Sequence, residues 1–320
     1  MPGPEILTMG RVGVDLYPEQ IGVPLADVTS FRKGLGGSAT NVAVAAARLG
    51  RRAGVITKVG DDPFGPFVRR ALQDFGVDAR WVGTDPNELT PVVFCEIFPP
   101  DRFPILFYRR PKAPDMNISV DDLDLEAIER APLFWTTGTG LSDEPSRTAT
   151  LTATAARPSG SITVHDLDYR PALWATPRDA RGQAARILTK STVALGNVDE
   201  VEMATGIRDP FDGAAALLDL GVDVAIVKRG AQGVLGRTHD QVVEVPAVRV
   251  EIVCGLGAGD AFGGAVSHAL LSGWDLERSL RFANAAGAIV ASRLLCADAM
   301  PTPEEIDELL DNSGGRLFTG

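Results

Sequence analysis

Two rhythms of apolar and polar positions alternate along the chain. Short, mostly apolar runs at residues 6–14, 53–59, 133–137, 162–166, 192–195 and 224–228 predict buried strands, the first ending in Asp15. Between and after them, small apolar residues recur at helical spacing, predicting helices over 38–49, 63–75, 148–157, 180–190, 199–205, 211–220, 258–271, 276–293 and 303–310. Gly50 and Gly76 stop the first two helices, and Pro63 opens the second. Residues 90–98 and 105–109 read as a hairpin across the Pro-rich PPDRFP loop. The alternation predicts an α/β fold with a central, mostly parallel sheet and helices on both faces. Segments of about 16–35 and 90–111 break it and are expected to pair as a small β lid over the site. Neither an internal repeat nor a linker divides the chain, so residues 5–311 are expected to form one domain and 312–320 a frayed tail.

Composition narrows the function. The 320 residues are 45% apolar and carry a net charge of −11. So acidic a chain lacks the clustered Lys and Arg that nucleic acids require, and an anionic ligand would need a local cationic pocket. The cysteines, Cys95, Cys254 and Cys296, are odd in number and form no CxxC pair, and the histidines are only His165, His239 and His268. Neither a disulfide framework, a zinc site nor a His-based triad is indicated. No basic leader and no 18-residue apolar run is seen, so no membrane partner is expected and the cytosol is the default compartment.

The segment with most chemistry is GLGAGDAF, Gly255 to Phe262. Glycines let backbone N–H groups approach a ligand, and the helix that follows adds unpaired N–H donors and its positive dipole end. Asp260 in the first turn would stand beside a bound anion, placed to take a proton from an attacking hydroxyl. A phosphate receiver and a base within one turn suggest phosphoryl transfer to an alcohol. The plainer alternative is a Gly-rich turn whose Asp only complements the helix dipole. No GxxxxGK[ST] occurs, and GxGxxG lacks its third glycine here, which argues against a nicotinamide enzyme.

Other segments also read two ways. In GLGGSATN, Gly36 and Gly37 could admit a polyol held by Asp15 and Asn41, or form a turn capped by Ser38 or Thr40. In NVDE, Glu200 could hold a water of hydrated Mg²⁺, or Asn197 could simply cap a helix. KRGAQG could line a nucleotide with Lys228, or turn a hairpin. FYRRPKAPD gathers Arg109, Arg110 and Lys112, either as a receptor for an acid or as edge-strand protection. In HDLDYRPALW, Arg170 could reach a substrate, or pair with Asp166 or Asp168.

Together, GLGGSATNVAVAAARLG with KVGDDPFG, then NVDE, then CGLGAGDAF resemble, in order and spacing, the ribokinase or PfkB family of carbohydrate kinases over roughly residues 5–311. The resemblance implies a ribokinase-like fold and ATP as phosphoryl donor. It implies Asp260 as base and an anion hole from the N–H groups of Gly257, Ala258 and Gly259. Asn197 and Glu200 would act through Mg²⁺, with Glu200 as the metal residue. Lys228, Gly230, Gly233 and Asn284 would border the nucleotide, and Asp15, Gly36, Gly37 and Asn41 would hold the sugar. GRVGVDLYPEQIGVPL, CEIFPPDRFPILFYRRPKAPD and DLDYRPALW are most similar to a branch that phosphorylates a keto sugar acid on its terminal hydroxyl, with Arg109, Arg110 and Arg170 toward the acid. A non-catalytic sugar or nucleotide sensor on the same scaffold would require a broken anion hole or a missing base. Where the family writes DTxGAGD, this chain has Cys254 and Gly255. Cys is a poor ligand for a hard cation, so a monovalent-cation site does not carry over with the resemblance. A lid strand could pair across a homodimer, though no residue demands it.

Overall fold

In the computed structural model, which describes residues 3–312, the first apolar run does not form one strand. It splits into β1 (Ile6–Met9) and β2 (Gly13–Pro18), which belong to different sheets. The break is Gly10, whose φ of +151° is open to glycine and costly for a side chain. A Cβ there would also lie 3.0 Å from Thr137 Oγ1. Arg11 and Val12 therefore cross between the sheets, and Asp15 sits within a lid strand rather than at the end of a core strand.

The chain continues through β3 (Phe31–Gly36), α1 (Ser38–Arg48), β4 (Ala53–Gly60), α2 (Phe64–Asp74), β5 (Val82–Asp85), β6 (Val92–Cys95) and β7 (Ile105–Tyr108). Next come α3 (Leu125–Arg130), β8 (Leu133–Thr137), α4 (Ser146–Ala155), β9 (Ile162–Asp166), α5 (Pro177–Leu188), β10 (Val193–Asn197), α6 (Val198–Thr205), α7 (Pro210–Asp219) and β11 (Val224–Lys228). The last elements are β12 (Val234–Arg237), β13 (Val242–Val245), α8 (Ala258–Leu271), α9 (Leu276–Ala291) and α10 (Pro303–Asn312). Strands β5, β12 and β13 and helix α3 are too short for periodicity to reveal and were not expected. Of the expected C-terminal tail, residues 313–320 lie outside the described residues.

The main sheet has nine strands in the order β13-β12-β11-β10-β9-β8-β1-β4-β5. It is parallel from β11 to β5, and β12 and β13 add antiparallel at one edge. Helices cover both faces: Val42 of α1, Val266 of α8 and Ile289 of α9 belong to one core cluster, and Ile187 of α5, Val201 of α6 and Leu217 of α7 to another. A second, four-stranded sheet, β3-β2-β6-β7, is built from the segments that interrupt the alternation. Its inner face is seated on the core, with Tyr17, Val93, Cys95 and Ile97 clustered against Cys254, Leu295 and Cys296. Among the described residues no helix is long and apolar enough to cross a membrane.

His165 lies fully buried in β9, with Nδ1 2.9 Å from Thr136 Oγ1 and Nε2 without a partner. Burial pushes its pKa down to about 3. On acidification the unfolded chain takes this proton first, so the stability that His165 contributes above pH 6.5 falls toward about pH 3. The slope is about 1.4 kcal/mol per pH unit below the unfolded pKa. Asp15 and Asp166, whose pKa values are raised, act in the opposite sense, so the test is a difference. Urea unfolding of wild type and His165→Leu between pH 7 and 5 is expected to show a flatter acid dependence in the variant. Parallel curves would contradict it.

Candidate active site

Gly257 is the hinge on which α8 begins. Its φ is +82°, and it caps the helix with no side chain, so the first-turn N–H groups of Ala258, Gly259 and Asp260 are left uncapped. A Cβ on Gly257 would stand 2.7 Å from Cys296 Sγ. Lys228 reaches the same turn from the end of β11, its Nζ 3.4 Å from where a Cβ on Gly259 would be. Helix N-terminus and ammonium together make one electropositive wall.

Helix α1 supplies the other side. It packs so closely on α8 that a Cβ on Gly264 would lie 2.4 Å from Ala45 Cβ. That approach lets two α1 side chains hold the Asp260 carboxylate. Ser38 Oγ donates to Oδ1 at 2.9 Å, and Asn41 Nδ2 donates to Oδ2 at 2.8 Å. Burial nevertheless raises the pKa of Asp260, with Asn41 and Ser38 opposing the shift. A raised pKa in an oriented carboxylate suits a base. Because Asp260 can only accept, the Asn41 amide must turn its nitrogen to it, and Asn41 Oδ1 stays buried without a partner. A ligand hydroxyl would satisfy it.

Asp15 faces the same cavity from the lid. Tyr17 donates its hydroxyl to Asp15 Oδ2 at 3.1 Å and stands 2.7 Å from Cys296 Sγ. Burial pushes Asp15 up to about 6, Tyr17 pulls it back, and the nearby Asp260 charge adds to the rise. Gly36 was expected to admit a polyol. Its missing Cβ is taken up by Asp15 instead: a Cβ there would lie 2.1 Å from Asp15 Oδ1. Gly37, at φ +102°, does line the cavity, and a Cβ on it would meet Arg11 O at 2.4 Å.

The cavity holds about 100 Å³ and is cationic along another part of its wall. Of the expected arginines, Arg109 and Arg170 line it and Arg110 does not. Consecutive residues after β7 point to opposite faces, so Arg109 turns inward to pair with buried Asp115 while Arg110 is exposed. Arg170 pairs with Asp168 at 2.9 Å. Arg11, absent from the expected set, also lines the cavity. It is 157 positions from its partner Asp168, so no local pattern marks the pair.

The expected nucleotide residues form a neighbouring chain of contacts. Asn197 and Lys228 are register partners at the ends of β10 and β11. Of the NVDE alternatives the cap is seen: Asn197 Oδ1 accepts from Glu200 N at 2.9 Å, and Glu200 Oε2 accepts from Asn197 N at 2.7 Å, a reciprocal cap on α6. Lys228 lies 3.9 Å from Asp166 Oδ1. Burial raises Asp166 to about 7 against the pull of Lys228, with the Glu200 charge adding to the rise. Gly230 is open, whereas Gly233 presses on the backbone of Val245, where a Cβ would lie 2.0 Å from the carbonyl oxygen. Gly233 therefore serves chain packing. Asn284 donates to the carbonyl of Pro246 at 2.7 Å on the same border. Among the described residues no group of three or more His, Cys, Asp or Glu is gathered as a metal cage. Asp166 and Glu200, hard oxygen donors next to the anion-receiving turn, fit a hydrated Mg²⁺ that keeps most of its waters. Cys254, where a monovalent-cation ligand was in question, is buried in the cluster that joins lid to core.

The profile of the pfkB family carbohydrate kinases matches residues 4–303. A 5-dehydro-2-deoxygluconokinase of Clostridium perfringens is 33% identical over 313 residues, covering 96% of this chain and 92% of that protein. One from Photobacterium profundum is 36% identical over 315 residues, covering 96% and 95%. Among solved structures, a putative ribokinase II of E. coli in complex with ATP and Mg²⁺ superposes with a TM-score of 0.85 at 26% identity, covering 96% of this chain and 99% of that one. Aminoimidazole riboside kinase of Salmonella enterica, complexed with its riboside and an ATP analogue, gives 0.80 at 30% identity, covering 95% and 99%.

Proposed function

The chain belongs to the pfkB family of carbohydrate kinases, and from that premise we propose that it transfers the γ-phosphoryl group of ATP to the terminal hydroxyl of 5-dehydro-2-deoxygluconate, yielding the 6-phosphate in inositol breakdown. Residues 5–311 act as the catalytic unit, with the lid covering the sugar. The observation that carries the reading is the polarity of one cavity. Asp15 and Asp260 are its carboxylates, and Arg109 and Arg170 supply guanidinium groups on its wall. A substrate with hydroxyls at one end and a carboxylate at the other matches that polarity, and relatives 33% and 36% identical carry the matching name.

Catalysis in this reading is positioning and electrostatics. Asp15 and Asn41 hold sugar hydroxyls, and the free Asn41 Oδ1 accepts from one of them. Asp260, steadied by Ser38 and Asn41, takes the proton of the attacking hydroxyl. The N–H groups of Gly257, Ala258 and Gly259, with Lys228, receive the oxygens of the migrating group. Gly230 and Asn284 border the nucleotide. Glu200 and Asp166 would hold a hydrated Mg²⁺, which would supply neutralising charge.

An ADP-release assay over 5-dehydro-2-deoxygluconate, 2-keto-3-deoxygluconate, ribose, fructose and a nucleoside tests the substrate. The acids are expected to lead, the first most strongly. Arg109→Gln or Arg170→Gln is expected to raise KM for the acid by about 10- to 100-fold, the worth of a hydrogen bond to a charged group. Neutral sugars outrunning the acids, with both variants silent, would sink the assignment.

A further inference from the structure

The wall that carries Arg109 and Arg170 has a third guanidinium, Arg11, which stands on the crossing from the core sheet to the lid. It is 6% exposed. Its Nε donates to Thr139 Oγ1 at 3.0 Å, and its Nη2 donates to Asp168 Oδ2 at 3.0 Å. Thr139 Oγ1 donates to the same Asp168 oxygen at 2.9 Å. The guanidinium also lies 5.8 Å over the ring of Phe107, on the inner face of the lid. Two edges of the planar fork are thus fixed, whereas Nη1 meets no acceptor among the described residues.

Ion pairing points the same way. Asp168 is one carboxylate shared by two guanidiniums, Arg11 at 3.0 Å and Arg170 at 2.9 Å, so neither has it alone. Asp115 is matched by Arg109 alone. Asp168 is also the only non-glycine described residue with positive φ, at +29°. Such a conformation costs free energy and persists where surrounding contacts over-determine it. Here they are Arg11, Arg170 and Thr139, together with the Asp168 N–H on Asp166 Oδ1 at 3.2 Å.

We propose that Arg11 is a specificity-determining residue that reads the carboxylate of the acid substrate through its unengaged edge, with Asp168 as the positioning residue that presets it. The proposal rests on the sugar-acid reading above. It adds that selection for the acid is built into the crossing between the two sheets as well as the lid.

The test is a selectivity ratio: kcat/KM for the acid over kcat/KM for its neutral analogue with a C1 alcohol. Wild type is expected to favour the acid at least 100-fold, and Arg11→Gln to lower the ratio by about 10- to 100-fold. Arg11→Lys, which keeps a positive charge beside Asp168, is expected to lower it at least tenfold, because donors on a single nitrogen lack the fork whose separate edges meet Thr139, Asp168 and a ligand. Exposed Arg110→Gln is the control and should leave the ratio at the wild-type value. A structural role for Arg11 would lower both substrates equally and keep the ratio; that result, in either variant, overturns the proposal while leaving the sugar-acid reading intact. A wild-type enzyme that prefers the alcohol overturns both.

Discussion

Asp260→Asn is expected to keep the fold and nucleotide affinity and to lose about 10²- to 10⁴-fold in kcat, the usual share of a general base. The reason lies in what Asp260 touches. Two donors, Ser38 Oγ and Asn41 Nδ2, converge on its two oxygens. An amide can satisfy both, since the Ser38 hydroxyl can reverse and accept. The structural cost should therefore stay within about 1 kcal/mol, the worth of one hydrogen bond. Removing a buried negative charge near Asp168 offsets part of it. What the amide lacks is a site for the proton of the acceptor hydroxyl. A coupled ADP-release assay with urea unfolding alongside separates the two effects. A variant turning over at the wild-type rate would remove Asp260 from the role of base. The raised pKa of Asp260 further places the acid limb of wild-type kcat/KM above the titration of an ordinary aspartate.

Gly257→Ala should damage both stability and turnover. Its φ of +82° costs alanine about 1–2 kcal/mol. The added methyl would also lie 2.7 Å from Cys296 Sγ and 2.9 Å from Cys296 Cβ, an overpacking worth about 1–3 kcal/mol. Together roughly 2–5 kcal/mol of stability is at stake, read as a lowered urea midpoint. Activity should fall further than stability explains. Gly257 sets the direction of the first-turn N–H groups, and a shift on the order of 1 Å costs about 100-fold. Cys296→Ala removes the sulfur but not the backbone strain, so the double variant should recover part of the loss. Strict additivity of the two substitutions would show that the methyl does not meet the Cys296 sulfur.

Much of this molecule was legible from local pattern. The helices at 38–49 and 258–271 were placed nearly to the residue, because each is long, rich in small apolar residues and bounded by glycine. The glycine run with an acid in the next turn pointed to the proposed base, since that chemistry needs those residues adjacent in the chain. NVDE read as a cap or as a metal-linked acid, and the structure shows the cap to be what orients the acid. The first strand was read too long because Gly10 and Arg11 interrupt a mostly apolar run with no recognised turn pattern, and what bounds the space at Gly10 is Thr137 and Ala39, distant in the chain.

Sequence alone placed the longer strands and helices in order and marked the glycine-rich turn and the acid that follows it, all products of interactions spanning a few residues. Tertiary structure alone decided that Arg109 faces inward and Arg110 outward, that the space at Gly36 belongs to Asp15, and that Arg11 shares Asp168 with Arg170. The physical reason is that the direction of a side chain and the neutralisation of its charge depend on partners brought near only when the sheets and helices pack. No spacing along the chain records that approach.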